Sequence, residues 1–286
     1  MKHLGAKQIQ SFQKEIYKAY KNNKRPHLPW RHTFDPYHIL VSEVMLQQTQ
    51  VERVVPKYVA FIRKFPTIQK LARASTSDLL HMWQGLGYNR RALFLQKAAI
   101  DIYQKYKGVF PRDFNTLLTL KGVGQSTAGA ILNFAYNIPH AFIETNIRTI
   151  YIHHFFKNSS HVDDIHILSL VRDTIDIKNP REWFYALYDY GTELKAKLGK
   201  RKTKVHQKSK SYTKQSKFKG SNREIRGAIL KTLVESKEVY LTIEDMAKKS
   251  NVIQNAGVSK VHNILVSLES EGFIKKGKKP GQFGIL

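Results

Sequence analysis

The sequence predicts an all-α protein that ends in a small mixed module, and three observations carry that reading. From residue 7 to about 195 apolar residues recur every three or four positions, strand-like alternation is nearly absent, and proline or glycine breaks the pattern at short intervals. The apolar stripes run through Ile9, Phe12 and Ile16, then Leu40 and Val44, then Val54, Val55, Tyr58, Phe61 and Ile62. They continue through Leu79, Leu80, Met82 and Trp83, and through Leu93, Ala98, Ile102 and Tyr103. Pro36, Pro56, Pro66, Pro111, Pro139 and Pro180 fall where helices are expected to start or turn, because proline lacks the N–H that a helix interior uses. The 286 residues suffice for two domains, expected at 1–196 and 222–286 with a linker over 197–221.

The linker is marked by charge. Lys197, Lys200, Arg201, Lys202, Lys204, Lys208, Lys210, Lys214, Lys217 and Lys219 crowd a stretch poor in aliphatic residues. Like charges at that density repel, so the segment reads either as a solvated tether or as a basic strand that tracks a polyanion. Tyr212 and Phe218 favour contact, since aromatics among lysines stack on bases or pack on a partner. Beyond Ser221 comes an amphipathic helix with Ile225, Ile229, Leu230 and Leu233, then a capped helix at Thr242–Ala247. A third helix opens at Gly257 and carries Val261, Ile264, Leu265 and Leu268. Gly272 ends it, and residues 273–285 read as a basic hairpin. Helix, helix-turn-helix and wing in that order resemble a winged-helix module, a fold that serves DNA or protein partners.

Lys and Arg number 48 against 22 Asp and Glu, a net charge of +26, which points to a polyanionic partner, with nucleic acid leading. There is no cysteine, so disulfides, zinc-thiolate sites and thiolate-held iron-sulfur clusters lack ligands. The twelve histidines are scattered, and the adjacent His153 and His154 face different sides of a helix, so no metal is expected. No apolar run reaches the roughly 18 residues of a membrane span. No membrane partner is expected, and the protein is expected to be a soluble cytoplasmic, nucleoid-associated monomer.

Residues 120–129, Leu-Lys-Gly-Val-Gly-Gln-Ser-Thr-Ala-Gly, carry the clearest binding signal. Gly122 and Gly124 let backbone amides approach an anion at the start of an apolar helix, whose unpaired N–H groups and positive dipole end face the loop. A plain turn between helices gives the same pattern. Its company is what matters: Ser42 to Thr49 upstream and Ile143 to Asn146 downstream each set a carboxylate beside apolar sequence.

Taken together, residues from about 28 to 194 resemble the helix-hairpin-helix DNA glycosylases, and among them the MutY-type adenine glycosylases. The resemblance rests on Leu28-Pro29-Trp30-Arg31, Asp35-Pro36-Tyr37, the Val41–Thr49 segment, Gly85-Leu86-Gly87-Tyr88, Leu120-Lys121-Gly122-Val123-Gly124 and Asp189-Tyr190-Gly191, in that order. It implies an all-α, helix-hairpin-helix DNA glycosylase fold with a small C-terminal winged-helix domain. It also implies removal of adenine mispaired with 8-oxoguanine or G, from double-stranded DNA. The role of general acid passes by resemblance to Glu43, whose neighbours Val44, Met45 and Leu46 favour a raised pKa. A second carboxylate stabilises the developing oxocarbenium ion. The family has aspartate there; this chain has Glu144, followed by Thr145 and Asn146.

The resemblance further implies that Gln48 and Tyr88 wedge into the duplex, with Thr49 and Leu86 near the partner base. Trp30, Arg31, Leu46 and Val51 would line the base pocket, while Lys121, Gly122, Gly124 and Ser126 form the hairpin that meets phosphate. Ser126 stands where strand-cutting relatives carry a Schiff-base lysine, and a hydroxyl cannot form an imine, so a monofunctional enzyme is expected. Tyr185 replaces a glutamate or glutamine that would bond adenine, and the cluster-binding cysteines and the usual Nudix-like domain give way to the lysine-rich stretch and the winged helix. No cofactor is expected. Two alternatives remain open: a thymine or uracil mismatch glycosylase on the same scaffold, and a DNA-lesion-binding protein without activity.

Overall fold

A computed structural model describes residues 4–199, 205, 208–210 and 217–286. Much of the lysine-rich stretch, including Lys200, Arg201, Lys202, Lys204, Tyr212 and Lys214, lies outside the described residues. The chain forms two compact units, residues 1–43 with 110–214 and residues 44–109 with 215–286.

The first unit contains α1 (Ala6–Asn23), a 3-10 turn (Pro29–His32) and α2 (Pro36–Leu46), whose residues up to Glu43 belong here. It continues with α7 (Phe114–Thr119), α8 (Gln125–Tyr136), α9 (Thr145–Phe155), α10 (Asp164–Thr174) and α11 (Pro180–Leu198). Helix α11 runs through its middle, packed on α1, α8 and α9. Phe12, Ile16 and Tyr20, four apart on α1, are all buried. Phe12 meets the Trp183 and Tyr151 rings edge-on at 6.0 and 5.3 Å, joining three helices at one aromatic node. Asp35 starts α2 by accepting from the Tyr37 N–H at 2.8 Å, and Pro36 sits at the first helical position, where its missing N–H costs nothing. Part of the predicted linker is pinned here: Val162 donates to the Lys208 carbonyl at 2.7 Å and accepts from Lys210 at 3.2 Å.

The second unit contains α3 (Val51–Lys64), α4 (Ile68–Ala72), α5 (Thr76–Trp83) and α6 (Arg90–Lys105). With them pack α12 (Asn222–Glu235), α13 (Ile243–Lys249), α14 (Asn251–Gln254), α15 (Val258–Ser270) and the antiparallel strands β1 (Ile274–Lys276) and β2 (Phe283–Ile285). Pro56 departs from its expected place at a helix boundary and lies inside α3. It falls early in the helix, where only the bond back toward Glu52 is forfeited. The C-terminal elements follow the predicted order, with Thr242 and Asp245 capping α13 reciprocally. Rather than standing apart, α12 lies against α5, so residues beyond 215 share a unit with residues 44–109.

Candidate functional site

Glu43, Glu144, Asn146, Tyr188 and Lys195 converge in the first unit, and each keeps part of its surface open among buried neighbours. Glu43 rides on α2 beyond the buried Leu40, Val41 and Ser42. Loss of solvent drives its pKa up to about 8, the nearby Glu144 charge pushes the same way, and a hydrogen bond donated by the Tyr188 hydroxyl opposes both. Burial and the two carboxylates in turn hold the Tyr188 phenol well above its usual range, so it remains a donor.

Glu144 is the N-cap of α9, and its Oε1 accepts from the Ile147 N–H at 2.8 Å. Burial raises its pKa, but the Asn146 and Ile147 amides and the charges of Lys195 and Arg148 all favour the anion. Two carboxyl groups, both pushed up by burial, thus sit in different settings: Glu43 beside a single hydroxyl donor, Glu144 beside two backbone amides and two cations. Lys195 Nζ donates to Asn146 Oδ1 at 2.6 Å, fixing the amide. This corner depends on Gly191, where a Cβ would lie 2.6 Å from Asn146 Cβ. Only glycine lets α11 approach the start of α9 so closely.

Of the predicted base-pocket residues, Trp30, Arg31 and Tyr185 lie in the first unit, and Leu46 and Val51 belong to the second. Trp30 is buried. Arg31 is held by a two-pronged pair with Asp189, 2.7 Å on each arm, and Arg25 donates to that buried carboxylate from both its Nε and its backbone N–H. Tyr185 stacks on Phe134 with ring centres 4.2 Å apart, and Arg31 lies over its face at 4.6 Å. Its hydroxyl has no hydrogen-bond partner among the described residues. Arg31 and Tyr185 both line a cleft of about 430 Å³ with Tyr20, Phe34, Asn179 and Arg181.

The hairpin is built as its glycines require. Gly122 has φ +81, a left-handed conformation that other residues resist, and Gly124 caps α8. Lys121 is exposed beside it, and Ser126 lies in the first turn of α8.

In the second unit two loops stand together. Gln48 and Tyr88 are two of four non-glycine residues with positive φ among the described residues, at +55 and +47. Such strain persists only where the surroundings impose it. Here Arg91 does so: its guanidinium donates to the carbonyls of Val44 and Met45 at the end of α2, to the Gln47 carbonyl and Thr49 Oγ1 on the loop that follows, and to the Leu86 and Gly87 carbonyls on the other loop. Burial lowers its pKa to about 10. Thr49 Oγ1 also reaches the Leu86 carbonyl at 3.3 Å, while the Leu86 side chain is buried.

The sequence alone does not mark Tyr188, Lys195, Asp189 and Arg91 as site residues. Tyr188 carried a signal, because it lies three residues from Tyr185 on one helix face.

Residues 41–174 match the family model described as HhH-GPD superfamily base excision DNA repair protein. An adenine DNA glycosylase of Buchnera aphidicola (subsp. Baizongia pistaciae) is 36% identical over 63% of this chain and 52% of its own length. That of Mycolicibacterium smegmatis is 43% identical over 46% of this chain and 45% of its own, and the human enzyme is 36% identical over 50% and 28%. The chain thus spans about half or less of these relatives. A thermostable thymine-DNA glycosylase structure superposes with a TM-score of 0.59 at 25% identity, over 65% of this chain and 86% of that one. An endonuclease III–DNA complex gives 0.53 at 21% identity, over 66% and 85%, which speaks for the fold alone. Residues 41–174, which carry the hairpin and both carboxylates, are thus similar to the HhH-GPD superfamily of base excision DNA repair proteins.

Proposed function

We propose that this protein is a monofunctional DNA glycosylase that hydrolyses the N-glycosidic bond of adenine mispaired with 8-oxoguanine or G in double-stranded DNA. The observation that carries the reading is the carboxyl pair: Glu43, whose pKa burial pushes up to about 8, beside Glu144, whose carboxyl accepts from the Ile147 N–H at the start of α9. Adenine leaves only if a ring nitrogen gains a proton as the bond to the sugar stretches, and Glu43 supplies it. Glu144 lies against the positive charge that develops on the sugar, water completes the hydrolysis, and Asn146 fixes the local geometry. Support also comes from relatives named adenine DNA glycosylase. Gln48 and Tyr88 are the wedge that holds the duplex open while the base is extruded, and the Gly122–Gly124 hairpin with Lys121 holds a backbone phosphate. Ser126 offers no amine, so no imine with the sugar forms, and without cysteine the enzyme carries no cluster.

The test is a panel of duplexes carrying A:8-oxoguanine, A:G, A:C, T:G and U:G, incubated with enzyme and cleaved by alkali. Adenine-dependent breaks are expected, with no borohydride-trapped adduct. Preference for T:G or U:G would instead support the mismatch-pyrimidine reading, which the structural likeness to a thymine-DNA glycosylase and the tyrosine at position 185 favour. Binding without any cleavage would leave a lesion-binding protein.

A further inference from the structure

Arg223 is the second residue of α12, a poor place for a cation because the helix N-terminus is itself positive. Its guanidinium is turned onto Tyr88 within the same unit. Nη1 donates to the Tyr88 hydroxyl at 2.5 Å, and Cζ lies 5.2 Å from the Tyr88 ring centre and 6.0 Å from that of Phe218, which is 59% exposed. Arg91 also lies near the Tyr88 ring, at 5.7 Å. Two residues along the chain a second clasp repeats the connection. Arg90 Nε and Arg226 Nη2 both donate to Glu271 Oε2, at 3.0 and 2.7 Å, and Ser267 donates to Oε1 at 2.9 Å. Burial disfavours the Glu271 anion, but these hydrogen bonds outweigh it and hold its pKa at about 2. Tyr88 and Arg90, on either side of Asn89, are therefore both tied to the C-terminal helices.

Taking Tyr88 as the wedge, as read above, we propose that Arg223 is its positioning residue, so that the C-terminal module forms part of the device that opens duplex DNA at the mispair. The left-handed backbone at Tyr88 needs an outside hold, and the bond to its hydroxyl fixes the far end of the ring. Phe218, Arg223 and Tyr88 together form an aromatic and guanidinium ladder that widens the wedge into a stacking ledge for the parted bases. A purely structural contact would need none of this at the wedge itself.

The experiment uses the full chain and a duplex with 2-aminopurine beside the mispaired adenine, whose fluorescence rises when it unstacks. Tyr88→Ala, Arg223→Ala and Arg223→Lys are compared with the parent for that signal and for single-turnover excision, with thermal midpoints measured in parallel. Arg223→Ala is expected to lose most of the fluorescence rise and to slow single-turnover excision about tenfold, while the thermal midpoint stays close to the parent's. Arg223→Lys, which keeps a donor and a charge, should recover much of the signal. If Tyr88→Ala abolishes the rise and Arg223→Ala retains it in full, this inference alone is overturned. If Tyr88→Ala behaves as the parent, the wedge reading fails and the inference fails with it.

Discussion

Glu43 and Tyr88 are both held in states that each would avoid alone, and the means differ between the two units. At Glu43 the cost is electrostatic: lost solvent and a neighbouring carboxylate keep a proton on a side chain that would shed it in water. At Tyr88 the cost is conformational, a left-handed backbone stabilised by Arg91 from one element and Arg223 from another. The first arrangement suits a group that must give up a proton on demand. The second suits a side chain that must push against DNA without folding back. On the proposed reading chemistry and mechanics rest on separable residues, and substitutions are expected to fail in separable ways.

The largest effect is expected at Glu43. Glu43→Gln cannot donate a proton, so single-turnover adenine release should fall by about three orders of magnitude or more while duplex affinity stays within a few-fold. The same change should show the electrostatic cost directly. The folded pKa lies above the unfolded value, so Glu43 weakens the fold progressively as pH rises from about 4.5 to about 8. Relative to the parent, Glu43→Gln should therefore melt higher at pH 9 than at pH 5.

Glu144→Gln is expected to lose about two orders of magnitude in rate with binding largely kept, because the amide fills the site without the charge. Glu144→Asp should keep measurable activity, since aspartate is a good N-cap and retains the charge. Equal rates for Glu144→Gln and the parent would remove this carboxylate from the mechanism.

Gly191→Ala sharpens the comparison from the packing side. Its Cβ would meet Asn146 at 2.6 Å, and the shift needed should destabilise the fold by about 1–3 kcal/mol by denaturant titration. It should also slow excision without changing the 2-aminopurine signal. Arg91→Lys should do the reverse, because an ammonium cannot span both loops. Opening of the duplex should weaken several-fold while the pH dependence of excision stays as in the parent.

Much of this was legible in the sequence because it is local. The hairpin glycines, the capped start of α13 and the glutamate on an apolar helix are set by neighbours within a few residues. What could not be read depends on partners far along the chain. Arg31 pairs with Asp189 across 158 positions, which turns a predicted pocket residue into half of a buried ion pair. Tyr185, Tyr188 and Tyr190 crowd one helix, and choosing the one that meets Glu43 requires knowing how α11 is turned toward α2. The pairing of the C-terminal helices with residues 44–109 rests on Arg90, Arg226 and Glu271, three ordinary surface residues to a sequence reader.

On the proposed reading Glu43 holds the proton that adenine needs, tuned by Glu144 and Tyr188. The most direct test is the pH dependence of single-turnover adenine release from an A:8-oxoguanine duplex, for the parent and for Tyr188→Phe. The parent rate should decline as pH rises through about 8, and removing the hydrogen bond that favours the Glu43 anion should move that decline to higher pH. A parent rate that already declines near pH 5, or a decline that Tyr188→Phe leaves in place, would contradict the account.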